Sequence, residues 1–284
     1  MDKQIYNTLL SPEKMGLFEE QFSKDPFEGY LINVEISKIF YVWLHFFEII
    51  LRNRIARYLD KTFPEWYKPT PSFLKKIHRD DTRHRLYKKV NDIIKESTFT
   101  NKQNKFINKV LQREQQNQLR IAIERIIQHN KDINRNNLIS ELNLGFWTCL
   151  FLKTYEQSMW NNKGYKEIFP SLKTIKSYTR IKRDLDFIRK IRNRIFHNEQ
   201  ILVYSPNKTL DLLKLYTKAS ISLKYHSILD DIETAAGTET LNDLWVRLDN
   251  LQDKEHLKDP NTKVKYNKWW SKMKFPSQNT SRPS

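Results

Sequence analysis

Apolar residues recur at spacings of three and four through most of this chain, the period of an amphipathic helix rather than the alternation of a strand. Residues 10–24 (LSPEKMGLFEEQFSK) open with Ser11 placed to cap, Pro12 at the first helical position and Glu13 in the first turn. A second helix is expected over Leu31–Thr62, with apolar positions so dense that protein should nearly surround it. Pro64, Pro69 and Pro71 punctuate the loop that follows. Between 72 and 128, fragments such as FLKKIHRDDTRHRLYKKVNDIIK and FINKVLQREQQNQLRIAIERII predict amphipathic helices with cationic outer faces. HNKDINRNN (129–137) reads as a loop, and a helix is expected from Leu138 through Trp160. Gly164 and Pro170 mark an irregular stretch. A further helix is expected from Thr174 or Tyr178 to Phe196 or slightly beyond, ILVYSPNKT (201–209) connects, and a helix from Thr209 to Ile232 ends at AAGTET. A short helix, Leu241–Gln252, precedes a basic terminal segment. The expectation is an all-α fold: one helical domain over 1–255 with a basic helical insertion at 72–135, then a partly disordered basic segment, 256–284.

Composition sharpens this picture. Only five glycines occur in 284 residues, and no short stretch gathers several, so a P-loop or dinucleotide fingerprint is excluded. Lys and Arg number 50 against 33 Asp and Glu, a formal charge of +17, which points to a polyanionic partner, nucleic acid first. The single cysteine, Cys149, excludes an internal disulfide framework and a cysteine-only metal site. The N-terminus lacks the apolar stretch of a secretory signal, and the most apolar run, Ile39–Leu51, is interrupted by His45 and Glu48. A cytoplasmic protein with no membrane partner is the expectation.

The segment that carries chemistry is IRKIRNRIFHNEQ, Ile188 to Gln200. Arg192, Asn193 and His197 fit R-N-x-x-x-H. On a helical wheel Ile181, Leu185, Ile188, Ile191 and Ile195 form one stripe. Asn193 and His197, four apart, share the opposite face, where the amide could hold the imidazole by a hydrogen bond. Arg192 lies about 40° from the stripe, a costly place for a guanidinium that is neither paired nor used. Positions five apart differ by about 140° in azimuth and about 7.5 Å in rise, so Arg192 and His197 do not naturally meet at one atom. A long Arg side chain, fraying near Asn198, or a second copy of the surface could reconcile them, and a two-fold dimer is favoured. Imidazole moves protons near neutral pH and guanidinium neutralises phosphate. With no metal, that pair suits cleavage of RNA through its own 2′-hydroxyl, and DNA lacks that nucleophile.

On these residues the chain resembles the HEPN superfamily, and more narrowly the Abi-like abortive-infection proteins of bacteria. Three blocks carry the likeness, in order across roughly residues 10–205. They are VWLHFFEIILRNRIARYL with Glu48, Leu51, Arg52 and Asn53; ISELNLGFWTCLFLKTYEQSMW with IFP at 168–170; and IRKIRNRIFHNEQIL. The family often has His-His-Glu where this chain has His197-Asn198-Glu199. The resemblance implies a HEPN-type helical bundle with additional basic helices, acting as a metal-independent endoribonuclease. It further implies a homodimer in antiviral defence or a toxin–antitoxin system, without a cofactor. Arg192 and His197 would be catalytic and Asn193 would position them, with Glu48, Arg52, Arg194 and Asn198 supporting. Some Abi-like members are thought to work with a small noncoding RNA, so an RNA-binding scaffold that does not cut is the alternative; a DNA-binding regulator is a third.

Other residues take plainer readings. RNRI occurs at 52–55 as well as 192–195, but the residue five after Arg52 is Arg57, so that copy has no acid–base group. Glu48 either pairs with Arg52 along the helix or is a buried partner of Arg192 or His197. Phe146 and Trp147 read as core. Trp269 and Trp270 could stack on bases or dock on the core. His78 and His84 lie among basic residues without the ligand spacing of a zinc site. The basic face of 75–125 is either solvated or binds phosphate, the second being favoured by the charge.

Overall fold

A computed structural model describes residues 10, 12–22, 24–70, 73–74, 92, 105–161, 163–171, 177–202 and 206–251. Among them every regular element is helical. The helices are α1 (Pro12–Gln21), α2 (Pro26–Thr62), α3 (Arg113–Gln128), α4 (Arg135–Glu141), α5 (Leu144–Cys149), α6 (Tyr155–Ser158), α7 (Tyr165–Ile168), α8 (Tyr178–Phe196), α9 (Pro206–Ser220), α10 (Ile228–Ala236) and α11 (Leu241–Leu251). None of them is long and apolar enough to cross a membrane. The all-α expectation is therefore met.

Two compact units are built from these helices. The first comprises Met1–Phe46, Lys190–Leu215 and Lys224–Ser284; the second comprises Phe47–Arg189 and Tyr216–Leu223. In the first unit α1 turns into α2 through Asp25, whose Oδ1 accepts from the Glu28 amide at 3.0 Å, with Pro26 at the first helical position. Gly29 is required at this junction, because a Cβ there would stand 2.6 Å from the Phe22 ring. Phe18, Phe22, Ile32, Ile36, Phe40, Trp43, Ile191, Ile201, Leu213, Ile232, Leu244 and Leu248 are all buried. The Trp43 indole donates to Thr238 Oγ1 at 3.2 Å, which ties α2 to the turn after α10. That turn begins at Gly237 in the left-handed region (φ 61°), a conformation that glycine adopts without steric penalty.

The second unit packs aromatic rings. Trp66 meets Phe106 and Trp147 edge-on, and Phe151 stacks on Trp160 at 4.9 Å. Several buried polar atoms find partners here. Tyr58 donates to the Met159 carbonyl at 2.9 Å, and Trp160 to the Leu150 carbonyl at 2.7 Å. Tyr155 donates to Gln115 Oε1 and accepts from the Gln112 amide, so one hydroxyl satisfies the unfilled start of α3. Asp60 accepts from both Arg135 and the Trp66 indole. Asp184, 2% exposed, accepts from Tyr216 at 3.0 Å, with Arg180 and Arg183 each within 4 Å. Burial first, and the Asp184 charge second, push the Tyr216 phenol far above its ordinary range.

Several expectations are corrected. Helix α2 begins at Pro26 rather than Leu31, because the Asp25 cap and Pro26 start it earlier. It also keeps an exposed stripe at Leu31, Glu35, Lys38, Tyr41 and His45, so protein does not surround it there. The continuous helix expected over Leu138–Trp160 is three helices, α4, α5 and α6. Leu142 is extended and the Asn143 side chain accepts from the Phe146 amide, so a new helix starts where apolar periodicity suggested continuation. Helix α4 starts at Arg135 because Asn134 caps it through the Asn137 amide. The helix expected over Thr209–Ile232 is broken between Ser220 and Ile228, and the Gly164–Pro170 stretch contains α7. The FINKV stretch is a π-helical turn ending at Leu111. The outer face of α3 is mixed rather than cationic, since Arg120 pairs with Glu124 at 2.8 Å and Arg113 adjoins Glu114. Ser11, His78, His84, Trp269, Trp270, residues 75–91 and 93–104 of the basic insertion and the segment 256–284 lie outside the described residues.

Candidate functional site

The expected stripe on α8 is real. Ile181, Leu185, Ile188 and Ile191 are at most 1% exposed, and Ile195 is half-buried. Burial of this face directs Asn193 and His197 outward, and both are exposed. Lys190 lies on the same outward face, since positions seven apart nearly superpose on a helix. The motif residues Arg192, Asn193, Arg194, His197 and Asn198 all belong to the first unit.

The helix end that presents His197 is fixed by several bonds. Asn198 takes the left-handed conformation (φ 53°). The Glu199 amide then donates to the Arg194 carbonyl at 2.8 Å and the Asn198 amide to the Ile195 carbonyl at 3.1 Å, the pair of bonds of a Schellman turn. Arg194 closes the loop further, with Nη1 donating to the Gln200 carbonyl at 2.6 Å and Nε 3.6 Å from the Glu199 carboxylate. Gln200 Nε2 donates to Gln21 Oε1 at 2.8 Å, and the buried Ile201 amide donates to Asn33 Oδ1, also at 2.8 Å. His197 thus stands on a turn anchored to α1, α2 and α8. At Asn198, where fraying was one way to bring Arg192 and His197 together, the helix ends in a hydrogen-bonded cap.

Arg192 is half-buried, with its guanidinium carbon 3.9 Å from the centroid of the Phe196 ring. A cation over a ring face is attracted by the ring quadrupole, so the guanidinium on the edge of the apolar stripe is put to use. Phe196, whose ring carries the guanidinium, directly precedes His197 in sequence. Phe196 continues to Tyr41 (centroids 5.7 Å apart), and Tyr41 to His45 (6.2 Å, nearly parallel). Sequence reasoning missed this row. Its signal was present in two i, i+4 pairs, Arg192–Phe196 and Tyr41–His45, but nothing in the sequence joins α2 to the end of α8.

Other expectations about the site fare differently. Asn193 gives His197 only its backbone carbonyl, which accepts from the His197 amide at 3.0 Å; no hydrogen bond joins the two side chains. His197 directly follows Phe196, the last residue of α8. Glu48 and Arg52 belong to the second unit, and both are half-buried. No ion pair joins them, and Arg52 Nε is buried without a hydrogen-bond partner among the described residues. Two residues on, burial first and Arg57 second push the Arg54 guanidinium below its ordinary value. Cys149 is half-buried, and burial, partly opposed by Arg189, pushes its thiol up. Among the described residues no group of three or more His, Cys, Asp or Glu is placed to hold a metal ion.

The site therefore offers an exposed imidazole on an anchored turn, a guanidinium held on the neighbouring ring, and Lys190 along the same face. Compared with protein-family models, curated proteins and solved structures, the chain matches none of them.

Proposed function

We propose that this protein is a metal-independent endoribonuclease of the HEPN type, working as a homodimer in bacterial antiviral defence or a toxin–antitoxin system. The single observation that carries the reading is the placement of His197: exposed, on a turn held by bonds from three helices, one residue after the Phe196 ring that carries Arg192. In the reaction the 2′-oxygen of a ribose forms a bond to the adjacent phosphorus and the bond from phosphorus to the 5′-oxygen breaks. His197 takes the proton from the 2′-hydroxyl, and the leaving 5′-oxygen receives a proton, which the His197 of a second copy can supply. Arg192 neutralises the extra charge on the pentavalent phosphorus. The products are a 2′,3′-cyclic phosphate and a 5′-hydroxyl end. Asn198 and Arg194 hold the turn that positions His197.

The test is incubation of purified protein with single-stranded RNA and a DNA of the same sequence, in EDTA. RNA alone is cut, with a cyclic phosphate end, and His197→Ala slows the cut by about 10²–10⁴-fold. Arg192→Ala lowers the rate with the fold unchanged by circular dichroism. Cleavage that survives His197→Ala, or that includes DNA, overturns the proposal. Tight RNA binding with no cutting supports a scaffold for a noncoding RNA instead.

A further inference from the structure

The row of rings that starts at Phe196, the residue before His197, has no role in proton transfer or charge neutralisation. Tyr41 is 46% exposed and Phe196 49%, large values for aromatic side chains packed against each other. His45 is exposed as well and lies nearly parallel to Tyr41, at an interplanar angle of 19°. All of these residues lie in the first unit. The row extends from the C-terminal turn of α8 along the exposed stripe of α2. A patch of this kind on a helical surface is expected to be covered when the protein works.

Its surroundings indicate what covers it. Arg192 sits on the ring at one end, and Lys190 lies two turns before His197 on the outward face of α8. Two acidic residues on these elements are paired: Glu35 with Lys38 at 2.6 Å and Glu199 with Arg194. Cations beside half-exposed aromatic rings, in a chain of net charge +17, match a strand that brings both phosphates and flat bases. An apolar protein segment would use the rings but not the charges. We infer that Tyr41, Phe196 and His45 form a stacking platform for an unpaired base of single-stranded RNA, placed next to the phosphate that Arg192 and His197 address. This deepens the ribonuclease reading and rests on it only for the identity of that phosphate. Stacking tolerates any base, because every base has a π face, so the platform selects unpaired RNA over duplex rather than a sequence.

The experiment measures binding apart from cleavage. In the full chain carrying His197→Ala, the affinity for an unstructured RNA with 2-aminopurine at its centre is compared with that for an abasic strand of equal length. Tyr41→Leu and Phe196→Leu keep apolar bulk but remove the π face. Each is expected to weaken binding of the base-bearing strand on the order of ten-fold and to leave the abasic strand unaffected. Tyr41→Phe and Phe196→Tyr retain binding and the quenching of 2-aminopurine. Equal loss on both strands, no loss on either, or a change in sedimentation of the free protein overturns the platform, the last in favour of self-association. Wild-type protein that binds and quenches but cuts no RNA overturns the ribonuclease reading alone. Ring-deficient protein that overturns the platform while the wild type still cuts leaves the ribonuclease reading standing.

Discussion

Removing the Asn33 side chain tests whether the turn that carries His197 is held from α2. Asn33 is 4% exposed, and its Oδ1 is the acceptor for the Ile201 amide, itself in a residue 1% exposed. In Asn33→Ala that N–H stays buried with no partner, at a cost of about 1–3 kcal/mol. For a protein of this size that corresponds to a fall in Tm of roughly 2–10 °C. The loss is also local. Gln200 remains bonded to Gln21, and Arg194 still donates to the Gln200 carbonyl, so the turn loosens rather than unfolds. Urea unfolding followed by circular dichroism gives the stability, and amide exchange at Ile201 gives the opening. A double-mutant cycle with Arg194→Met adds the decisive number. Both residues hold one loop, so a coupling of about 0.5–3 kcal/mol is expected. A loss below about 0.5 kcal/mol in Asn33→Ala, or strict additivity in the cycle, refutes the idea that the turn is anchored as a unit.

Two further outcomes follow from the same physics. At Asn198 (φ 53°) a β-branched residue meets the full left-handed penalty, so Asn198→Val costs about 1–2 kcal/mol while Asn198→Gly is close to neutral, as thermal denaturation will show. Tyr155 is pushed up from its ordinary value of 10.0 to about 12, burial being the largest cause. The unfolded chain therefore loses this proton first as pH rises. The contribution, up to about 2–3 kcal/mol, is whole below pH 10 and is lost as pH climbs through about 12. Tyr155→Phe should flatten the stability curve across that window in urea titrations, and a slope equal to the wild type counts against it.

Much of the fold was legible because helical periodicity is a local property. The span of α8 falls within the range its apolar stripe suggested, and Pro64 and Pro69 stand in the non-helical stretch after α2. Where the reading failed, a polar side chain had replaced continuation of the helix. Asn143 and Asn134 cap short helices inside a stretch whose apolar spacing is uninterrupted. Spacing shows which residues seek the core; it does not show whether the backbone between them stays helical when Trp147 must meet Trp66 and Phe151 must stack on Trp160.

For the site, the sequence by itself placed Arg192, Asn193 and His197 on one helix and turned His197 to the outside, because four isoleucines and a leucine claim the opposite face. It also recorded the excess positive charge. Tertiary structure decided the rest: that the helix stops at Phe196 in a closed turn, that Asn33 and Gln21 hold that turn, and that Phe196 meets Tyr41 from a helix about 150 residues away. Contacts of that separation depend on which faces two helices bury against each other. No local pattern encodes that choice, because it is made by the packing of the whole unit.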